Sequence, residues 1–284
     1  MKSRTSLLAF SAVSVSCGWA GVLLDRLAKT PEGTQGPGML VWLTAPLATA
    51  AILRLRSGGW RDARLSPKLP RSAKWYAAAA GIPLLVGGGA VALASLTGRV
   101  AIRWDWSTYL ALAASTIGFN LIKNVFEEFA WRGFLASKLI GRGHKDAMVY
   151  LITGLIWGLW HLPYYLFLLD PSLISTTLQV PRPMFAMLAM TVLMGWTVVQ
   201  VELFRLSGTV WVPLLLHSIH NTLVDPIGAM GYATMPTGLG LVFSPIVGVG
   251  TAALWLGIGL GLRRHRIRKD SGVRAPGVPE YRRR

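Results

Sequence analysis

The sequence predicts an all-α membrane protein, a polytopic bundle of about eight transmembrane helices, from three observations. Of its 284 residues 52% are hydrophobic and only 14% charged, with a mean hydropathy of +0.47; a globule surrounded by water would be less apolar. Eight apolar runs approach the roughly 20 residues that a helix needs to cross the hydrocarbon core. The third observation is the placement of charge. Against 12 Asp and Glu there are 29 Lys and Arg, a net charge of +17, and the excess lies in alternate gaps between the runs.

The first run, 5–25, follows Lys2 and Arg4 as a signal peptide would. No small-x-small cleavage pattern comes before Asp25, so a retained helix is expected. Cys17, inside that run, lacks the upstream aliphatic residue of a lipoprotein signal. As the one cysteine it excludes an intramolecular disulfide and a cysteine-based metal cluster, and it is expected to be inert. Runs 38–56 and 75–97 flank a basic segment, 54–74, that holds Pro67 and Pro70. Runs 108–137, 147–169, 184–205, 209–226 and 241–262 follow, and then a basic tail, 263–284. Both basic segments read as solvated. No internal repeat is found.

With the N-terminus inside, 22 of the 29 Lys and Arg fall in inner segments and five in outer ones. Lys123 and Arg132 are left at membrane depth. By the positive-inside rule the basic excess is topology, with both termini cytoplasmic. The inner loops would attract anionic lipid, and nucleic acid is not an expected partner. Trp60, Trp75, Trp104, Trp106 and Trp211 fall near helix ends, where indole rings favour the interface.

An ionisable side chain in hydrocarbon costs roughly 2.5–3.5 kcal/mol, so each one marks a candidate functional site. The fourth run carries Lys123, Glu127, Glu128 and Arg132 in NLIKNVFEEFAWRGF; the fifth carries His161 in WGLWHLPYY; the seventh carries His217, His220 and Asn221 in LLLHSIHNT. The pairs Lys123–Glu127 and Glu128–Arg132 are both i,i+4, which gives each carboxylate a cation one turn away. Adjacent glutamates diverge by about 100°, so they cannot share one packing partner and one is free to face a cavity. His217 and Asn221 share a face, whereas His220 is less securely grouped with them. Glu202 reads as structural, paired at the helix end with Arg205. At about 1.5 Å per residue Glu127 lies about 16 Å from the inner end of its helix, His161 about 21 Å and His217 about 12 Å. The three can meet in the inner half of the membrane.

A carboxylate, two imidazoles and a carboxamide suffice to activate water and stabilise an oxyanion. The imidazoles with a glutamate also suffice for an open zinc site. Glu and His at mid-depth serve equally as proton relays, so a proton-coupled transporter is the reading from another class. Against it, transporters commonly show repeats with interrupted helices in matching positions, and here the polar residues have no counterparts in the first half.

In their order and spacing, Glu127-Glu128-x-x-x-Arg132, the aromatic-x-x-x-His that runs from Trp157 to His161, and His217-x-x-x-Asn221 resemble the three motifs of the CAAX protease and bacteriocin-processing family. That family includes the type II CAAX prenyl endopeptidases, eight-helix intramembrane enzymes. The resemblance covers roughly residues 108–226. Trp157 stands where Phe is usual and Trp131 where Phe often precedes the arginine; both keep an aromatic ring. The resemblance implies an intramembrane metalloendopeptidase that cuts a membrane-associated peptide or protein. In it Glu127 and His161 would polarise the attacking water, and His217 with Asn221 would stabilise the oxyanion. Glu128 would support the site or bind metal, and Arg132 would hold the carboxylates. A zinc ion, if used, would take His161, His217 and Glu128. The family also has immunity-type members in which hydrolysis is doubtful. No HExxH occurs, which excludes a zincin helix. The implied organisation is 1–107 for three helices and a basic cytoplasmic loop, 108–226 for the catalytic core, 227–262 for the last loop and helix, and 263–284 for a basic cytoplasmic tail. The Gly-, Ala- and Arg-rich composition suggests a bacterial plasma membrane.

Overall fold

A computed structural model describes residues 3–31, 34–57 and 59–272. Lys2 and the part of the basic tail beyond Gly272 lie outside the described residues. Helices α1 (Ser3–Leu27), α2 (Pro37–Ser57) and α3 (Leu69–Ser95) account for the first three apolar runs. The fourth run is α4 (106–141), followed by α5 (Asp146–Leu168) and the short α6 (Pro171–Thr177). Next come α7 (Arg182–Ser207), α8 (211–229), the short α9 (Thr237–Phe243) and α10 (Val249–Gly272). A ladder of two residues per strand, β1 (Ala101–Ile102) with β2 (Ala233–Thr234), runs antiparallel. The protein is thus all-α and of membrane type.

Among the described residues α1, α2, α3, α5 and α7 are long and apolar enough to cross a membrane. Three other helices fall short of that apolarity. α4 gives up hydropathy to Lys123, Glu127, Glu128 and Arg132, α8 to its histidines, and α10 to the arginines of its second half.

Local chemistry sets the helix ends. The Asp105 carboxylate caps α4, accepting from the backbone N–H groups of Ser107 and Thr108 at 3.0 and 3.4 Å. α7 starts with a proline in its first turn and stops at Gly208, whose φ of +69° is the left-handed cap that glycine adopts without strain. Small residues let the helices close on one another. A Cβ on Gly195 of α7 would come within 2.6 Å of the Ala252 carbonyl oxygen of α10.

Contacts between loops sort the two ends of the bundle. At one end Val210 N–H donates to Arg64 O at 3.1 Å, Trp211 Nε1 donates to Leu65 O at 2.6 Å, and Asp62 pairs with Lys138 at 3.0 Å. At the other end β1 pairs with β2, and Arg103 N–H donates to Tyr232 O at 2.9 Å. Segments expected on one membrane face therefore do gather together.

Three expectations need correction. The eighth run, 241–262, is not one helix; it breaks after Phe243, and α10 then continues to Gly272. Residues 263–272 thus continue the helix, stay largely exposed as expected of a solvated segment, and pair Arg263 and Arg266 with Asp146, each at 2.7 Å. The 54–74 segment also folds back on the bundle: buried Arg54 binds Gly59 O and Asp62 Oδ1 at 2.6 Å each, together with the Gly133 carbonyl and Ser137 Oγ of α4. Glu202, expected beside Arg205, instead accepts from Tyr150 Oη at 2.5 Å and from Arg266 Nε at 2.7 Å, and Arg205 goes to Asp146 at 2.7 Å. Pairing across helices has displaced pairing along one helix.

Candidate active site

Each helix that carries a motif contains a π-helical turn at the motif: Trp131–Ala136 in α4, Tyr164–Leu168 in α5 and His220–Val224 in α8. Such turns are rare and frequently occur at functional sites. Arg132 and Asn221 lie inside two of them, and His161 lies just before the third. Apolar periodicity alone does not show these turns.

Both i,i+4 ion pairs of α4 form. Lys123 Nζ is 2.9 Å from Glu127 Oε1, and Arg132 NH1 is 2.9 Å from Glu128 Oε1. The two glutamates then diverge, as their spacing requires. Glu128 faces α8 and accepts from His217 Nδ1 at 2.8 Å. Its Oε2 is 3.1 Å from Gln200 of α7 when the Gln200 carboxamide turns its nitrogen that way, an orientation that also satisfies Pro213 O at 3.2 Å. Glu127 faces α5. Its Oε2 accepts from Trp157 Nε1 at 3.1 Å and stands 4.0 Å from His161 Nε2. His161 Nδ1 lies 2.9 Å from Trp157 O and so carries a proton, and in the neutral ring Nε2 then turns a lone pair toward Glu127.

Asn221 is fixed from both sides. Its Nδ2 donates to Asp225 Oδ2 at 2.8 Å, and its Oδ1 accepts from Asn124 Nδ2 at 3.2 Å. Asn124 also reaches Ser218 Oγ at 3.1 Å, and Asn120 Nδ2 donates to Thr222 Oγ1 at 3.0 Å. His220 stands apart from the glutamates: its Nδ1 is 3.0 Å from Asp225 Oδ1 without the alignment of a hydrogen bond, and its ring packs on Trp196. Sequence reasoning named Glu127, Glu128, Arg132, His161, His217 and Asn221. It missed Asn120, Asn124, Gln200, Ser218 and Asp225. Asn124 and Asn120 stand one and two turns before the glutamates of α4, and that spacing was the available signal.

Aromatic rings wall the site. Arg132 lies 4.2 Å from the Trp157 ring centroid, Trp196 meets His217 edge-on at 4.9 Å, and Trp160 meets His161 at 4.6 Å. Glu127 and Glu128 are almost wholly buried, and in so dry a setting charges act strongly on each other and on a reacting group.

The zinc set His161, His217 and Glu128 does not converge. Among the described residues no three His, Cys, Asp or Glu side chains are placed to hold one metal ion. Glu128 Oε1 is taken by Arg132 and by His217 itself, so the carboxylate orients the ring and is not free as a ligand beside it. This donor arrangement does not fit zinc, whereas the glutamate and imidazole pair of α4 and α5 needs no change to contact a water.

No curated protein matches the chain. A family model, Type II CAAX prenyl endopeptidase Rce1-like, matches residues 106–223, the stretch from the start of α4 to the third π turn. All three motifs fall in this stretch, over which the chain is similar to the type II CAAX prenyl endopeptidases.

Proposed function

We propose that this membrane protein is an intramembrane endopeptidase that hydrolyses a peptide bond of a membrane-associated peptide or protein. Its setting in this proposal is a bacterial plasma membrane, with both termini cytoplasmic. One observation carries the reading: Glu127 Oε2 and His161 Nε2 face each other at 4.0 Å. That separation is too long for a direct hydrogen bond and short enough for both atoms to contact one water. A buried carboxylate and imidazole kept apart in this way have little structural value to each other.

In the proposed reaction the water oxygen attacks the scissile carbonyl carbon and gives a proton to Glu127, while His161 Nε2 accepts a hydrogen bond that aims the attack. The carbonyl π pair moves onto oxygen. The second N–H of Asn221 Nδ2, beyond the one donated to Asp225, is available to that oxyanion. His217 offers Nε2–H when its ring is an imidazolium, whose charge Glu128 balances through Nδ1. Collapse of the tetrahedral intermediate breaks the C–N bond, and the leaving amine takes the proton back from Glu127. Arg132 and Lys123 hold the two carboxylates in place.

Membrane peptides that accumulate in cells lacking the protein, compared with cells carrying the parent or Glu127→Gln, test the reading and reveal the substrate. A peptide cleaved only by the parent is expected. Equal peptide profiles in all three would favour a member of the immunity type, without hydrolysis. Chelation of the purified protein is expected to leave cleavage intact; loss of cleavage restored by zinc would overturn the route drawn here.

A further inference from the structure

At the basic end of the bundle a cavity of about 210 Å³ is lined by Arg64, Ile140, Arg205, Leu206, Arg266 and Lys269, with Asp270 on its rim. It joins the loop after α2 to the inner ends of α4, α7 and α10. Two of its cations are matched: Arg205 by Asp146 at 2.7 Å, and Arg266 by Glu202 and Asp146 at 2.7 Å each. Asp270 is mostly exposed and, among the described residues, reaches only Arg266, at 3.8 Å. Arg64 and Lys269 have no carboxylate within ion-pair distance among the described residues.

Arg64 is the informative one. It is half-buried, donates from NH1 to Phe204 O at 3.0 Å, and stacks on the Phe204 ring at 4.7 Å. Burial first, and the like charge of Arg205 second, hold its pKa below the ordinary arginine range, although the Asp62 carboxylate, beyond ion-pair distance, offsets part of this. Its backbone is strained as well, with φ +54° and ψ +48°, a left-handed conformation that glycine adopts freely and other residues seldom do. An unmatched guanidinium beside a second one, at a position better suited to glycine, becomes favourable once an anion bridges them. Guanidinium groups pair with phosphate oxygens in bidentate geometry.

We propose that this cavity binds the phosphate headgroup of an anionic membrane lipid, held by Arg64, Arg205 and Lys269. The volume suits a headgroup and not a whole lipid. Ile140 and Leu206 supply an apolar wall against which the glycerol end can leave toward the bilayer, and a free phosphate would gain nothing from that wall. The site lies where α4 and α7 end, at the level expected for the membrane surface. The proposal does not depend on the hydrolytic reading.

The test uses the purified full chain in neutral detergent, with thermal shift and native mass spectrometry as readouts. Phosphatidylglycerol should raise the melting temperature saturably and add as one lipid per chain, phosphatidylcholine should not, and inorganic phosphate at equal concentration should do far less. Arg64→Gly relieves the backbone while deleting the cation, so it should fold normally and bind phosphatidylglycerol at least tenfold more weakly. Lys269→Gln should weaken binding in the same direction. Arg56→Gln removes the same charge from an exposed position of α2 outside the cavity and should bind as the parent does. Equal binding by Arg64→Gly and the parent, or equal losses in Arg64→Gly and Arg56→Gln, would overturn the proposal in favour of diffuse surface attraction. A full shift with inorganic phosphate would overturn the lipid assignment.

Discussion

Glu127 and Glu202 are both buried acids on membrane helices, and they differ in what surrounds them. Both oxygens of Glu202 are engaged with Arg266, through Nε at 2.7 Å and NH2 at 3.2 Å, and Tyr150 adds a third donor at 2.5 Å. Arg266 also binds Asp146, which in turn binds Arg205 and Arg263. Through these contacts α5, α7 and α10 are fastened together at the basic end. Among the described residues Glu127 has a single cation, Lys123, on one oxygen; its other oxygen holds an indole N–H and looks across 4.0 Å at the Nε2 of His161. Burial is common to both acids, so burial does not mark function. Saturation of the carboxylate separates a fastening from a reactive group.

The largest effect expected on that comparison comes from Arg132→Ala. It would leave Glu128 buried without its cation, at about 3–5 kcal/mol of stability, read as poor expression and a collapsed melting temperature in detergent. A normally stable variant would show that His217 and Gln200 alone hold Glu128. Glu202→Gln should lose the charge of a saturated pair, about 1–3 kcal/mol, with turnover per folded molecule unchanged. Reduced turnover at normal stability would move Glu202 into the chemistry and erase the contrast.

The smallest effect sharpens the comparison outside the membrane. Burial works against the charge of Asp62, but hydrogen bonds from Arg54 and Lys138 outweigh it and hold the carboxyl below the ordinary carboxylate range. A folded pKa below the unfolded one means that the contribution is complete at neutral pH and fades as pH falls below about 4. Asp62 is partly exposed and screened, so the loss should stay under about 1 kcal/mol. Melting temperatures of the parent and Asp62→Asn should therefore differ at neutral pH and draw together as the pH falls below about 4; parallel curves would mean that the Arg54 cluster contributes nothing.

The sequence made the motif helices legible because charge in an apolar run is costly and therefore conspicuous. Lys123, Glu127, Glu128 and Arg132 pair as their i,i+4 spacing requires, and His161 and His217 arrive beside the two glutamates. Neutral polar residues were not legible. Asn124, Gln200 and Ser218 carry little hydropathy penalty, and only the approach of α4, α7 and α8 gives them partners. Distant pairings were hidden for the same reason. Glu202 sits three residues from Arg205 yet chooses Arg266, which α10 delivers only because it stays helical past residue 262. The π turns were hidden as well, since periodicity does not separate them from α-helix.

The most direct test of the contrast is peptide hydrolysis by Glu127→Gln and Glu202→Gln, each purified in detergent and normalised to folded protein. Both changes swap a buried carboxylate for an amide of equal size. Loss of a general base usually lowers a rate by about 10²–10⁴, so Glu127→Gln is expected to melt near the parent and turn over slower by that factor. Glu202→Gln is expected to melt lower and turn over like the parent. An active Glu127→Gln, or an inactive Glu202→Gln that melts like the parent, would contradict the account and place the chemistry at the other acid.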